Sequence, residues 1–176
     1  MKKKKMSFET RFWAGDEIKD PAEVFDVFFD GDYVDAQKRK LGELVMYSRK
    51  AKVYDQKYPG RVFMMYTELR SFVKACYVLQ DNGRKWKVVN AAPMQSLLCQ
   101  GMLSPEEYQD PFVAFKNAFA AQTLEEYNYF LCEIAHLSQS VHTDDCDTDL
   151  ITPYIYFIKM LDAAQLLRER RLPKRE

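Results

Sequence analysis

Histidine is nearly absent from this 176-residue chain, occurring only as His136 and His142. Neither has an arginine at the spacing of the R-x4–6-H motif used by small helical ribonucleases, so that activity has no residues to rest on. Glycine is scarce as well, with six residues, and no GxxxxGK[ST] or GxGxxG loop is present to cradle a phosphate. No serine sits in a GxSxG elbow, and there is no HExxH and no pair of ExxH motifs. The four cysteines, Cys76, Cys99, Cys132 and Cys146, are far apart and form no CxxC pair, which argues against a zinc site or a disulfide framework. Three of them lie among apolar neighbours ("KACYVL", "SLLCQG", "YFLCEI") and read as reduced, buried small hydrophobes.

Two further absences narrow the class. No apolar run approaches the ~18 residues of a membrane span. The opening "MKKKKMSFETRFW" has the positive charge of a signal peptide without an apolar stretch behind it. A cytoplasmic chain with no membrane partner is expected. Charge of one sign is missing too: 26 basic residues balance 26 acidic ones, so no global field draws in DNA or an anionic surface.

What is present is apolar volume. Hydrophobic residues make up 47% of the chain and aromatics 14%, enough for one domain or two small halves packed together. One phrase occurs twice: "DPAEVFDVFF" at 20–29 and "DPFVAFKNAF" at 110–119. Laying 20–51 over 110–141 places Phe25 on Phe115, Phe29 on Phe119, Leu41 on Leu131, Glu43 on Glu133 and Ser48 on Ser138. A slightly shorter offset places Tyr66 on Tyr154, Leu69 on Phe157, Ala75 on Ala163 and Leu79 on Leu167. These matches point to an internal duplication.

The chemistry of the phrase is that of a helix start. Aspartate caps an orphan N–H, proline suits the first turn, and phenylalanines four apart share one helix face. "TLEE" (123–126) and "SPEE" (104–107) are further start signals. Apolar stripes at helical spacing follow: Val34, Leu41, Leu44 and Val45; Met65, Leu69, Phe72, Cys76 and Leu79; Leu124, Tyr127, Leu131, Ile134 and Val141; Tyr154, Phe157, Leu161 and Ala164. Only "WKVV" and "RVFMMY" compete as strands. The expected fold is all-α: a bundle of two similar three-helix halves about a pseudo-twofold axis. Its parts are a basic segment at 1–19, the first repeat at 20–81, a linker with a short helix at 82–109, the second repeat at 110–170 and a basic tail at 171–176.

The Asp-Pro cap with its two phenylalanines, followed by the Tyr66, Leu69, Ala75 and Cys76 pattern and its second-copy partners, resembles uncharacterised all-helical proteins of Bacteroides-type bacteria. That resemblance spans both halves and implies the helical fold. It implies no activity, cofactor or partner.

Candidate chemistry is sparse. Cys132 and His136 sit four apart on one helix, the seed of a thiol nucleophile, but a buried thiol beside a partly exposed imidazole is the plainer reading. In "HTDDCDTD" (142–149), Asp145, Asp147 and Asp149 alternate as in a calcium loop. Leu150 and Tyr156 stand where glycine and glutamate are needed, so an acidic, helix-capping loop is preferred. No cofactor is expected and no enzyme. The basic clusters at 2–5, 38–40, 84–87 and 168–175 raise nucleic-acid binding, with Arg84, Lys85 and Lys87 around Trp86 as contacts. The favoured expectation is a non-enzymatic protein that binds another protein or itself. Its expected surface is the linker with Met94, Leu97, Leu98, Met102 and Leu103, together with exposed rings such as Trp13 and Trp86; the alternative is that these residues only close the bundle.

Overall fold

The structure, a computed structural model, describes residues 10–81, 101–141 and 148–170. All regular structure among these residues is helical: α1 (Thr10–Trp13), α2 (Pro21–Gly31), α3 (Val34–Tyr47), α4 (Gly60–Leu79), α5 (Pro105–Gln109), α6 (Pro111–Ala121), α7 (Leu124–Ser138) and α8 (Ile151–Arg170). The expected all-α class is met, and "RVFMMY" is the first turns of α4 rather than a strand. "WKVV" and most of the linker, from 82 to 100, lie outside the described residues.

Local chemistry accounts for the starts. Asp20 accepts from the Ala22 N–H at 3.0 Å and Asp110 from the Phe112 N–H at 3.1 Å, each with proline in the first turn. Ser104 with Glu107 and Thr123 with Glu126 close full capping boxes on α5 and α7. α3 has no side-chain cap and starts from the Tyr33 carbonyl, which accepts from Ala36 and Gln37. Between α3 and α4 the chain turns through Asp55, at φ +43.

The core forms around Phe72 of α4. Its ring stacks on Phe28 at 4.8 Å and on Phe157 of α8 at 5.8 Å, with Phe25 at 5.4 Å and Phe29 at 6.2 Å. Phe25 reaches Phe115 of α6 at 6.0 Å. Phe25, Phe29 and Phe115 are buried; Phe119 is half-buried, with its ring edge against Tyr77 and Tyr127. The two long helices are enclosed on several sides, which is why burial on α4 extends beyond one stripe to Val62, Thr67, Ser71, Val73 and Ala75. The buried hydroxyls bond within their own helix, Thr67 to Met64 O and Ser71 to Thr67 O.

The arrangement of helices has one feature no local pattern announces. α2 packs on α4 and α6 on α8, each within one stretch of chain. The middle helices instead cross over: α3 runs beside α7 and α8, and α7 runs beside α4 and α3. Side chains tie each one back to the helix before it, Gln37 to the Phe28 carbonyl at 3.5 Å and Tyr127 to the Ala118 carbonyl at 3.2 Å.

Three expectations need correction. Val141 falls beyond the end of α7 and is 59% exposed, because the helix stops at Ser138. Cys132 is exposed, not buried. The buried face of α7 is set by Tyr127, Leu131 and Ile134, and position 132 is turned about 100° from 131. Trp13 is half-buried rather than free: its indole N–H donates to Ser71 at 3.1 Å and its ring meets Phe28. Phe72→Ala removes the ring shared by α2, α4 and α8 and is expected to cost about 3–5 kcal/mol, read from the midpoint of urea unfolding.

Candidate partner surface

The residues singled out by sequence divide sharply. Trp86, Met94, Leu98, Arg84, Lys85, Lys87, Asp145 and Asp147 lie outside the described residues. Met102 is within them and 46% exposed, with its N–H donating to Asp162 at 3.3 Å. Asp162 also pairs with Lys38 of α3. Gly101, at φ +59, brings the chain so close that a Cβ there would stand 2.5 Å from the Asp162 carboxylate. Leu103, expected at the surface, is instead buried in the core.

Asp149 caps α8, accepting from Ile151 N at 2.9 Å and Thr152 N at 3.1 Å. Bonds from the Thr152 side chain and backbone, and from Ile151, hold its carboxyl below the usual range. Its Oδ1 is therefore engaged in a structural role. Cys132 and His136 both face solvent on α7.

The basic clusters are largely paired where they are described. Lys38 meets Asp162, Lys40 meets Asp32, and Arg168 meets Asp26 and Asp30. Arg170 donates to the Tyr108 carbonyl at 2.5 Å and covers that ring at 4.5 Å.

A surface that sequence reading missed lies on α1 and α4. Phe12 and Phe63 are 53% and 55% exposed and meet edge to face at 6.4 Å. Phe63 continues to Tyr66, also at 6.4 Å. Arg70 then covers the Tyr66 ring at 5.4 Å, donating to its hydroxyl and to Asn128 of α7. Positions 63, 66 and 70 fall within about 60° of one another on α4, beside the stripe of Met65, Leu69 and Phe72, so the helical turn itself brings these side chains together. The available signal was Phe63, a large ring out of phase with the core stripe.

One buried and one half-buried carboxylate lie away from this face. Glu107, 1% exposed, accepts from Ser104 N, Asn117 Nδ2 and Lys159 Nζ, the last at 3.0 Å. Burial pushes its carboxyl up, but these donors together outweigh burial and hold it below the ordinary 4.5. Glu68 on α4 goes the other way: burial raises its carboxyl, Lys40 opposes this in part, and Asp32 adds a smaller upward push. On α7, Glu133 Oε2 is buried without a hydrogen-bond partner.

The chain matches no known family model, no curated protein and no solved structure. Among the described residues no group of metal-ligating side chains converges, and no helix is long and apolar enough to cross a membrane.

The two glutamates generate opposite predictions. Lys159→Met strands the buried Glu107 carboxylate and is expected to cost about 3 kcal/mol at neutral pH, measured by denaturant unfolding. Glu107 is depressed in the fold, so its contribution is complete above 4.5 and fades as pH falls through the folded value. For Glu68, raised in the fold, the native state binds the proton more tightly than the unfolded chain, and stability from this group rises on acidification. Glu68→Gln is therefore expected to raise the melting temperature at pH 7. The gain should shrink as pH approaches 4.5.

Proposed function

We propose that this chain is a non-enzymatic helical protein that acts by binding another protein chain, copies of itself included, through the aromatic face of α1 and α4. The carrying observation is the run Phe12–Phe63–Tyr66–Arg70, with two rings more than half exposed and in contact. Large exposed rings clustered with arginine are what binding surfaces concentrate, since rigid aromatic area is desolvated at little entropic cost. Met102 supplies a smaller exposed site. A cytoplasmic location belongs to the same reading.

Nucleic-acid binding is the weaker alternative. Lys38, Lys40, Arg168 and Arg170 are engaged by structural partners, which reduces the charge available to phosphate.

The two-half organisation, and kinship with the uncharacterised helical proteins of Bacteroides-type bacteria, are also proposed. Several features support a duplicated origin. Helices α2 and α6 each have 11 residues, α3 and α7 have 14 and 15, and α4 and α8 each have 20. Exchanging these pairs leaves the set of packed helices among them unchanged. Gln37 and Tyr127, at matching positions, bond the matching carbonyls of Phe28 and Ala118. Ser48 and Ser138, also matched, bond back to Val45 and Ala135.

The test is light scattering across a concentration series, with a photoreactive phenylalanine analogue at position 63 for cross-linking in cell extract. The wild type is expected to gain mass or form discrete cross-links. Phe12→Ser/Phe63→Ser, which changes only the two rings that are more than half exposed, should abolish both with its melting temperature nearly unchanged. A strict monomer without cross-links would overturn the proposal.

A further inference from the structure

We infer that the two halves of this chain can close on those of a second copy through the same contacts they make with each other, giving a dimer in which whole halves are exchanged. The inference rests on the self-association form of the reading above but uses a different surface. The first half, through Asp81, and the second, from Gly101, are joined covalently only by residues 82–100.

Non-covalently they are interlocked. The main neighbours of α3 are α7 and α8, and those of α7 are α4 and α3. Beyond the helices, the loop after each middle helix reaches into the other half. Tyr54 N donates to Ser138 O at 2.7 Å, Gln139 donates to Tyr54 O at 2.8 Å, and Arg49 donates to Thr148 O at 2.8 Å. A half that lost its complement would therefore leave its own middle helix without principal neighbours and uncover Phe72 and Phe157 to water. Its complement is always a second half, and nothing in the contacts distinguishes the half on the same chain from the half on another.

An exchanged dimer makes every described cross-half contact twice. The balance between the closed monomer and the dimer then falls on the connection and on concentration. A tether typically supplies an effective concentration of about a millimolar, so the closed monomer dominates in dilute solution. Exchange is favoured when chains fold in a crowded pool. Once formed, the dimer is trapped, because separating it requires pulling α3 and α7 out of the partner core. That is unfolding, not the parting of two surfaces.

The experiment uses the full chain. Isotopically light and heavy copies are unfolded in urea and refolded together at a series of protein concentrations. In parallel, the native mixture is held at high concentration just below its melting temperature. Both samples are then diluted and followed by native mass spectrometry and light scattering. The expected result is a dimer whose share rises with the concentration of folding, which contains mixed light–heavy pairs and survives dilution for hours. It should form equally in Phe63→Ser. A dimer that falls apart at once on dilution and is lost in Phe63→Ser would overturn exchange while leaving the aromatic surface as the contact. Monomer alone in both arms would overturn exchange as well.

Discussion

Phe72 meets three rings of α2 and one of α8, and through Phe25 the cluster reaches α6. These rings belong to both ends of the chain, so neither end can bury its own aromatics alone. Burial of one such ring contributes roughly 2–3 kcal/mol, and offset or edge contacts add somewhat more. The shared cluster is therefore what obliges the two ends of the chain to fold together. The crossing of α3 and α7 follows from it: with α2 on α4 and α6 on α8 already filling the centre, the middle helices find their apolar neighbours on the far side.

That constraint also decides what is left for function. The core uses up the rings of α2 and α6, the inner faces of α4 and α8, and the buried Glu107 with its half-buried partner Lys159. Most cations of the described basic stretches are held by carboxylates or carbonyls of other parts of the fold. Among the described residues, the outer face of α4 with Phe12 remains exposed, its rings in contact with one another.

Helix starts were legible because caps are local chemistry. Asp20-Pro21, Asp110-Pro111, Ser104 and Thr123 need only their next three residues to act. The core of α4 was legible for a similar reason, as Met65, Leu69, Phe72, Cys76 and Leu79 recur at helical spacing. Cys132 was misjudged because apolar neighbours in sequence are not neighbours in space: one residue along a helix turns the side chain from core to solvent. Trp13 was misjudged because its partner, Ser71, lies far along the chain. The aromatic face is not legible from the periodicity of α4, because Phe63 meets Phe12 only once α1 folds against that helix.

By itself the amino-acid order determined the helical class, most helix beginnings and the residues that had to leave water, since each depends on contacts within a turn or two. Only the tertiary structure decided which half each middle helix leans on, that Leu103 and Trp13 turn inward, and that Phe12 and Phe63 meet at the surface. Those outcomes depend on side chains brought together from distant parts of the chain, and periodicity along one helix carries no information about which other helix will cover it.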